Sequence, residues 1–407
     1  MKKVVMIGAG FAGLHIFSKI RYLIGSKIEL TIIDAREYSL LKPSLPEVAF
    51  DGAPISHSLV ELEHTITGKG AEFVHDTVVN VDAKANTISL KSGKTLKYDY
   101  LILAPGAVKN YDAIEGFNEF GYSVCDDTQA QKLWKKVQTF EGGKVVVGSA
   151  KSVQGSLVDA PKLKAPCEGP IGEIMFMLGY YLREEKHLKQ VEDFKIDVFT
   201  PGAVFFEDVG PKPHEVVGRF MKEQAIDLHI NKVITKIGKD FVSFEDGTQM
   251  PSDLTIVIPP YTAPKFLLDS GLGDEFGFIP TDITMRHLDY LNIFAAGDST
   301  SLSQPKLGHI AIIQGGIAAA SLLKELGEDI VIPPHKLSIF CIMNMGGYEA
   351  TLIESDYLYG NTTDIALHSP MARMMKWGFD SYLHFSRGNM PPEFAMNMTE
   401  KLIKLLG

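Results

Sequence analysis

The chain has 407 residues, of which 45% are hydrophobic and 22% charged, and these values are typical of a globular protein with two or three packed units. The net charge of -10 argues against a nucleic-acid surface, so no nucleic-acid partner is expected. The three cysteines are too few for a secreted disulfide scaffold and too far apart for a CxxC metal or redox motif. No metal site is therefore predicted.

Membrane and targeting signals are weak along the whole chain. No apolar run approaches the roughly 20 residues that a membrane-spanning helix needs. The first stretch, MKKVVMIGAG, leads straight into a glycine motif and does not resemble a signal peptide. We expect a protein on the cytoplasmic side, without a spanning helix.

The first predicted elements are a buried strand, a glycine turn and a helix in KKVVMIGAGFAGLHIFSKIRYL, followed by a second strand, IELTIIDA. The turn carries Gly8, Gly10 and Gly13 in the order G-x-G-x-x-G. Gly8 permits a tight turn, Gly10 lets a pyrophosphate approach the backbone, and Gly13 lets the helix pack closely on the strand. Asp34, at the end of the second strand, would accept hydrogen bonds from a ribose. The pattern predicts a dinucleotide site.

Two later segments indicate which dinucleotide is bound. The strand YDYLILAPGA runs into Ala104, Pro105 and Gly106, and the strand LNIFAAGDST ends in Gly297 and Asp298. In this order the segments resemble the FAD-binding domain of the glutathione-reductase-like flavoproteins, which have two dinucleotide-binding domains. The resemblance implies FAD, with Asp298 at the ribityl chain and phosphate.

A second Rossmann-like unit is expected between the two FAD-binding halves, with strands in GGKVVVGSAKSVQGS, KIDVFTPGAVFF and DLTIVIPPY. The second glycine fingerprint is missing, because Gly148 is followed by residues with side chains: Ser149, Ala150, Lys151, Ser152 and Val153. We expect a unit that keeps its packing but has lost NAD(P). The segments KSGKT and EDGTQ predict small antiparallel hairpins with two-residue turns.

The C-terminal third contains the segment SPMARMMKWGFDSYLHFSRG, which predicts an amphipathic helix. Its apolar residues recur mostly at three- and four-residue steps: Met371, Met374, Met375, Phe379, Tyr382 and Phe385. Its polar residues should form the other face: Arg373, Lys376, Asp380, His384 and Arg387. A second amphipathic segment, EFAMNMTEKLIKLLG, ends the chain. Such stripes are more often core, but basic residues in an acidic chain favour docking on a membrane surface.

The cysteines lie in three different contexts. Cys167 is framed by Pro166 and the pair Gly169-Pro170, so it is expected on a stiff loop, whereas Cys125 and Cys341 could each be packed core residues. Among neighbouring groups, Glu168 and Glu47 could carry protons, although solvated or salt-bridged carboxylates are the more common case. His15 is expected to be a packed or surface histidine.

With these cysteines and the segment PKLGHIAIIQGG, the chain resembles the sulfide:quinone oxidoreductases over nearly its whole length. The resemblance also rests on LKPSLPEVAFDG and on APCEGP. It implies that Cys167 and Cys341 form a redox disulfide and that Cys125 can tether FAD covalently. All three cysteines are thus catalytic candidates, and we expect Phe385, with Phe340 and Ile342 beside Cys341, to line the quinone entry. The full set of implied cofactor-binding residues is Gly8, Gly10, Ala12, Gly13, Asp34, Ala35, Lys42, Pro43, Val78, Ala104, Pro105, Gly106, Cys125, Gly297, Asp298, Lys306 and Gly308.

The implied chemistry is thiol exchange. Sulfide attacks the disulfide and leaves a persulfide and a thiolate, the thiolate passes two electrons to the flavin, and a membrane quinone reoxidises the flavin. Low thiol pKa values would favour both steps. The partners are therefore sulfide, quinone and the membrane surface, and a homo-oligomer is left open.

Three alternatives remain. A type II NADH:quinone dehydrogenase shares the FAD motifs but should show a second glycine fingerprint and needs no distant cysteine pair. A flavocytochrome c-type sulfide dehydrogenase flavin subunit would be exported and would pass electrons to a haem partner. A non-enzymatic flavin-binding scaffold at the membrane would leave Cys167 and Cys341 inert.

The predicted fold class is α/β, with two Rossmann-like domains and a C-terminal amphipathic helical membrane-docking region. The expected units are the first half of the FAD-binding domain, 1–112, a degenerate Rossmann-like domain, 113–270, the second half of the FAD-binding domain, 271–330, and the C-terminal region with Cys341, 331–407. The expected location is the cell membrane, as a peripheral or monotopic protein on the cytoplasmic side.

Overall fold

Two parallel five-stranded sheets form the centre of the computed structural model, which describes residues 1–389, 391 and 403. The first sheet has the order β20-β9-β1-β2-β5, and all its neighbouring strands are parallel. Its strands are β1 (Lys3–Ile7), β2 (Glu29–Asp34), β5 (Glu72–His75), β9 (Tyr100–Leu103) and β20 (Ile293–Ala295). The near-continuous apolar sequences of these strands fit a sheet that is covered on both faces.

The second sheet repeats this arrangement, with the order β11-β18-β12-β13-β14 and parallel pairing throughout. Its strands are β11 (Gly121–Tyr122), β12 (Gly143–Ser149), β13 (Phe194–Phe199), β14 (Asp227–His229) and β18 (Leu254–Ile258). Both sheets are Rossmann-like, so the α/β flavoprotein architecture predicted from the sequence is confirmed.

Two helices cover one face of the first sheet, α1 (Phe11–Ile24) and α9 (Gly308–Glu325). They approach closely, since a Cβ added at Gly315 would lie 3.1 Å from the Ala12 carbonyl oxygen. His15 is half-buried between them, near Gly316, as expected for a packed histidine. The remaining helices before the C-terminal region are α2 (Leu45–Phe50), α3 (Leu62–Thr67), α4 (Phe117–Phe120), α5 (Asp127–Thr139), α6 (Gly169–Tyr180), α7 (Pro211–Glu223) and α8 (Lys265–Asp269).

Small antiparallel sheets join the parallel ones. Their strands are β3 (Tyr38–Leu40) with β4 (Leu59–Glu61), β6 (Val78–Asp82) with β7 (Thr87–Leu90) and β8 (Thr95–Lys97), β10 (Val108–Lys109) with β19 (Tyr261–Thr262), and β15 (Ile234–Ile237) with β16 (Phe241–Phe244) and β17 (Gln249–Pro251). The predicted hairpins exist, but the prediction of two-residue turns is wrong. In each hairpin a longer loop joins the two strands, and this loop contains a glycine with a positive φ: Gly93 at 89° and Gly247 at 80°.

The C-terminal region contains an antiparallel sheet that the sequence analysis did not predict. Its strands are β21 (Ile339–Asn344), β22 (Ala350–Ser355) and β23 (Asp364–His368). Strand β21 packs on α6, where a Cβ at Gly172 would lie 2.1 Å from the Met343 sulfur. The sheet therefore brings Cys341, on β21, against the helix that follows Cys167.

The predicted amphipathic helix is present as α10 (Pro370–Phe385), capped by the Ser369 hydroxyl. Most of the second amphipathic segment lies outside the described residues; within it, Ile403 is buried against the β21–β23 sheet. In the described part of the chain, no helix is long and apolar enough to cross a membrane.

Candidate functional site

A cavity of about 1700 Å³ runs from the glycine turn of the first sheet to the β21–β23 sheet and α10. This exceeds the roughly 300–1,000 Å³ of an ordinary small-molecule site and suits an extended dinucleotide with a second ligand beside it. Every residue predicted to bind the cofactor, apart from Gly13, lines it: Gly8, Gly10, Ala12, Asp34, Ala35, Lys42, Pro43, Val78, Ala104, Pro105, Gly106, Cys125, Gly297, Asp298, Lys306 and Gly308.

The glycine turn between β1 and α1 has the geometry that its sequence predicts. Gly8 has a φ of +98°, and a Cβ there would lie 2.2 Å from the Ala104 carbonyl oxygen. A Cβ at Gly13 would lie 2.1 Å from the Gly8 carbonyl oxygen, which explains why Gly13 packs the helix and does not face the cavity. Gly10 is the N-cap residue of α1, so no side chain caps the helix, and a Cβ at Gly10 would meet no atom within 4 Å. The free N–H groups at the start of α1 therefore face open space that suits a pyrophosphate.

Asp34 ends β2 beside this turn. Its Oδ2 accepts a hydrogen bond from the Ala9 N–H at 2.7 Å and its Oδ1 accepts one from the Arg36 N–H at 2.9 Å. Burial raises the pKa of Asp34, while these N–H groups oppose that shift. Each oxygen keeps a lone pair that can accept from a ribose hydroxyl.

Cations surround the Gly297-Asp298 end of the cavity. The Lys42 Nζ lies 3.8 Å from the Asp298 Oδ2. Lys306 is buried over the Phe278 ring, and burial lowers its pKa to about 7. Lys109 is half-buried over the Tyr261 ring, and desolvation lowers its pKa as well. Together with the glycine turn, these residues fit the phosphates and flavin of FAD.

Cys167 lies at the end of a long loop, residues 150–168, that separates β12 from α6. Hydrogen bonds hold this loop against the segment between β20 and α9. The Lys306 N–H donates to the Pro166 carbonyl at 2.8 Å, and the Gln154 amide donates to the Thr300 carbonyl at 2.7 Å. These bonds bring a cysteine from one sheet into the cavity of the other.

Cys341 reaches the same place from β21. A Cβ added at Gly169 would lie 3.5 Å from the Cys341 sulfur, so the two catalytic candidates converge at the start of α6. Both are free thiols here. Burial raises the pKa of Cys341 to about 12 and that of Cys167 well above its usual value, with the Asp208 carboxyl adding to the second shift.

Cys125 lines the cavity beside Tyr261, whose hydroxyl donates to the Cys125 sulfur at 3.6 Å. Burial raises its pKa too, against the lowering effect of the Ser123 hydroxyl and Lys109. None of the three thiols has the lowered pKa that would favour exchange, because desolvation raises the pKa of each.

The corresponding position of the second sheet is built differently. A Cβ added at Gly148, near the end of β12, would lie 2.4 Å from the Phe199 ring. The Ser152 hydroxyl accepts from the Tyr261 N–H at 2.9 Å, so the loop folds over the strand end. Where β1 leads into a helix through a short glycine turn, β12 leads into the loop that carries Cys167.

Lys376 and Arg373, on the predicted polar face of α10, turn inward, whereas Arg387 is exposed. Lys376 is 4% exposed and pairs with Glu173 and, at 3.4 Å, with Glu47. Arg373 also lies 3.4 Å from Glu47. Although burial lowers the pKa of Lys376, the charges of Glu173 and Glu47 raise it above its usual value.

The two carboxylates considered as proton carriers differ. Glu47 is salt-bridged, as expected, and accepts a hydrogen bond from Asn344 at 3.0 Å. Glu168 is neither solvated nor salt-bridged: it is 4% exposed and accepts from the Phe206 N–H at 2.8 Å. Sequence reasoning missed Glu173, although a lone carboxylate inside the apolar run IGEIMFML was a usable signal.

The three residues predicted to lie near the quinone do not all line the cavity. Phe340 and Ile342 line the cavity, whereas Phe385 is 84% exposed and does not. Two other aromatic residues of α10, Phe379 and Tyr382, do line it.

Comparisons with known proteins agree with this architecture. A family model described as pyridine nucleotide-disulphide oxidoreductase matches residues 2–152. The sulfide-quinone reductase of Aquifex aeolicus (strain VF5) is 24% identical over 426 residues, which cover 99% of this chain and 96% of the relative. An alternative NAD(P)H-ubiquinone oxidoreductase C1 of Arabidopsis thaliana is 25% identical over 390 residues, which cover 87% of this chain and 73% of the relative.

The X-ray structure of the sulfide:quinone oxidoreductase from Aquifex aeolicus has a TM-score of 0.87 at 23% identity, and the match covers 99% of this chain and 96% of that one. The fold is therefore that of the sulfide:quinone oxidoreductase structure, and residues 2–152 match the pyridine nucleotide-disulphide oxidoreductase model. The resemblance to the sulfide:quinone oxidoreductases predicted from the sequence is confirmed over nearly the whole chain.

Proposed function

We propose that the protein is an FAD-dependent sulfide:quinone oxidoreductase that uses Cys167 and Cys341 as a redox-active disulfide. The observation that carries the proposal is the convergence of the two cysteines at the start of α6, on a cavity that also contains the glycine turn and Asp298. The relatives named for sulfide and quinone support the choice of substrates.

FAD, held by the glycine turn, Asp34 and Asp298, would supply the two-electron redox chemistry that links the thiols to the quinone. The protein's part is to hold the two sulfurs together. Strand β21 fixes Cys341, and the bonds of residues 150–168 fix Cys167. In the oxidised state, sulfide attacks one sulfur and the other leaves as a thiolate. Lys306 and Lys109, whose pKa values are lowered by desolvation, lie near Asp298 on the same cavity.

We also propose that Cys125 holds the flavin covalently. Its thiol lines the FAD cavity, and Tyr261 orients it through the 3.6 Å hydrogen bond. Acid precipitation should leave flavin attached to the polypeptide, and Cys125→Ala should release it. Release of all flavin from the unaltered protein would contradict the covalent link.

The membrane-docking proposal rests on the outward face of α10. Met374 is 71% exposed, Trp377 68% and Phe385 84%, while Arg373 and Lys376 pair with carboxylates of the protein. Burying each such side chain fully contributes about 1.5–3 kcal/mol, so even partial insertion would hold the protein on a bilayer. The four domain units and the cytoplasmic-side location remain part of this proposal.

Docking can be tested with two point changes, since deleting α10 would leave Glu173 without Lys376. The double variant Trp377→Ser with Phe385→Ser should bind liposomes about tenfold less tightly. Tyr22→Ser, at a residue 88% exposed on α1, is the matched control and should bind as the unaltered protein does. Equal binding by all three proteins would show that α10 does not dock.

Turnover tests the proposed function. With sulfide and a short-chain quinone analogue, the quinone absorbance should fall at a rate proportional to the protein. Cytochrome c should not replace the quinone, which separates this proposal from the flavocytochrome c-type alternative. Turnover with cytochrome c but not with quinone would contradict it.

A further inference from the structure

Asp274 is a buried carboxylate that no step of the proposed reaction uses. It is 3% exposed, and it is not among the described residues that line the large cavity. It lies between α8 and β20, in a part of the chain that is remote from all three cysteines. Because a buried carboxylate is costly unless it is hydrogen-bonded, the groups that bond to Asp274 show which parts of the fold it holds together.

Hydrogen bonds from separate segments of the chain meet at this carboxylate. Its Oδ1 accepts from the N–H groups of Phe276 and Phe278, at 2.9 and 3.0 Å, within its own turn. Its Oδ2 accepts from the Ser301 hydroxyl at 2.9 Å and from the Gly155 N–H at 2.8 Å. Hydrogen bonds to an ionised acceptor are roughly twice as strong as neutral ones. Asp274 therefore joins the segment after β20 to the loop between β12 and α6.

The loop approaches Asp274 so closely that the contact needs a glycine. A Cβ added at Gly155 would lie 2.2 Å from the Asp274 Cγ, well inside van der Waals contact. Gly155 is buried, and we call its hydrogen bond to Asp274 the loop clamp. The next residue, Ser156, is exposed and donates to the exposed Glu275, with its hydroxyl at 3.1 Å and its N–H at 3.3 Å. Two neighbouring carboxylates thus hold the same loop, one of them enclosed and the other in water.

Further hydrogen bonds link the loop clamp to the part of the loop that carries the thiol. The Gly155 carbonyl accepts from the Lys162 Nζ at 2.7 Å. The Leu163 carbonyl, next along the chain, accepts from the Gln304 side-chain amide at 3.2 Å. Cys167 follows four residues after Leu163. A loop released at Gly155 would therefore also be held less firmly at the residues just before the thiol.

We propose that Asp274 is a positioning residue for Cys167: by holding Gly155 it keeps the Cys167 sulfur beside Cys341 and so favours their disulfide over the two free thiols. The inference rests on the proposed function and adds to it the group that sets the stability of the redox pair. Asp274 acts through the loop, since it lies outside the cavity that both cysteines line. Two thiols that are held together have a high effective concentration, so they form a disulfide more readily than thiols that move independently.

This equilibrium can be measured without sulfide or quinone, against the cyclic disulfide of oxidised dithiothreitol. Cys167 and Cys341 each give up one proton and one electron, and a bond forms between their sulfurs. The disulfide of the reagent breaks and takes up the two electrons and the two protons. The fraction of bonded protein at each ratio of oxidised to reduced reagent gives the formation constant of the disulfide. Mass spectrometry of alkylated peptides identifies the bonded pair.

Asp274→Asn removes the loop clamp with little change of shape. Its remaining oxygen can accept from the N–H groups of Phe276 and Phe278, but its NH₂ group then faces the Gly155 N–H, and two donors cannot bond. In the full-length, FAD-loaded protein, the formation constant should fall about tenfold, which makes the disulfide potential about 30 mV less negative. Anaerobic flavin bleaching by sulfide should also slow about tenfold, because the sulfurs are aligned less often. Reoxidation of the reduced flavin by a quinone should keep its rate.

Three further variants separate the loop clamp from a general loss of stability. Gly155→Ala forces the loop away from Asp274 and should lower the formation constant in the same way. Glu275→Gln is the matched control: it weakens only the exposed attachment at Ser156 and should keep the formation constant of the unaltered protein. Ser301→Ala removes another hydrogen bond from the Asp274 Oδ2 but leaves the bond to Gly155, so it should lower thermal stability and keep the formation constant.

Hydrogen exchange tests the loop clamp in the unaltered, FAD-loaded protein without any redox chemistry. The Gly155 amide should exchange about 100-fold or more slowly than the Ser156 amide, because its acceptor is buried whereas Glu275 is exposed. Asp274→Asn should remove this protection. Residue-resolved exchange followed by NMR measures both rates.

The outcomes are separable. A lower formation constant in Asp274→Asn or Gly155→Ala, with an unchanged one in Glu275→Gln and Ser301→Ala, supports the inference. Equal exchange at Gly155 and Ser156, unchanged formation constants in both clamp variants, or a change in Ser301→Ala as large as that in Asp274→Asn would overturn it. If sulfide does not bleach the flavin of the unaltered protein, the proposed function fails, while exchange and the formation constants still test the loop clamp. If the unaltered protein forms no disulfide, both the redox pair and this inference fail.

Discussion

The two parallel sheets differ most at one equivalent point, the connection after the central strand. In the first sheet, β1 passes through Gly8 and Gly10 into α1, and the start of that helix faces the cavity. In the second sheet, β12 passes through residues 150–168 before α6 begins, and the Phe199 ring fills the space beside Gly148. The same strand order therefore supports a dinucleotide site in one case and a thiol in the other.

The difference shows how one strand order can support two kinds of connection. A short glycine turn leaves helix N–H groups open to phosphate. A long loop uses the same helix start differently, because α6 begins two residues after Cys167 and at the point where Cys341 arrives. The two connections thereby place the glycine turn and Cys167 on one cavity.

Replacing either Cys167 or Cys341 should have the largest effect on the reaction. Cys167→Ser and Cys341→Ser should each lower the rate of flavin reduction by sulfide about 10³-fold or more, because exchange needs both sulfurs. FAD should stay bound, since neither residue belongs to the glycine turn. Stopped-flow bleaching measures the rate, and the flavin spectrum measures the bound FAD. A near-normal rate of flavin reduction in either variant would show that Cys167 and Cys341 are not a redox pair.

The helix of the second connection also carries a stability prediction. Lys376→Met would leave Glu173, on α6, and Glu47 without their shared cation. Breaking a buried pair in this way costs about 3–5 kcal/mol of unfolding free energy. Urea unfolding followed by tryptophan fluorescence checks this value. Lys265→Met, at a surface lysine paired with Asp269, is the control and should change stability by less than about 1 kcal/mol.

A change in the first connection should act on FAD alone. Gly10→Ala adds a methyl group that meets no protein atom but projects at the uncapped start of α1. We expect FAD affinity to fall about tenfold to a hundredfold, with little loss of stability. Equilibrium dialysis measures the affinity. Gly218→Ala, in α7, where a Cβ also meets open space, should leave FAD binding unchanged. An unchanged affinity in Gly10→Ala would mean that the pyrophosphate does not approach Gly10.

The first connection could be predicted from the sequence because its signal is local. Gly8, Gly10 and Gly13 follow a buried strand, and each glycine has the role that its position predicts. The absence of a second fingerprint was equally readable after Gly148. Whether that position keeps any NAD(P) affinity stays a prediction, as do the domain boundaries.

The features that sequence reasoning missed depend on long-range contacts. The β21–β23 sheet has short strands whose partners are set only by packing on α6. The inward direction of Lys376 could not be predicted, because no local signal shows that Glu173 and Glu47 converge on it. The burial of Glu168 depends on Phe206 and Asp208, which are distant in sequence from Cys167.

The central claim is that residues 150–168 position Cys167 for reaction with sulfide and do not bind a nicotinamide cofactor. Its most direct test is anaerobic flavin absorbance of the purified protein with sulfide and NADH added in separate samples. The account predicts that sulfide bleaches the flavin rapidly and that NADH leaves it oxidised. Bleaching by NADH, with no response to sulfide, would contradict the account and favour the type II NADH dehydrogenase alternative.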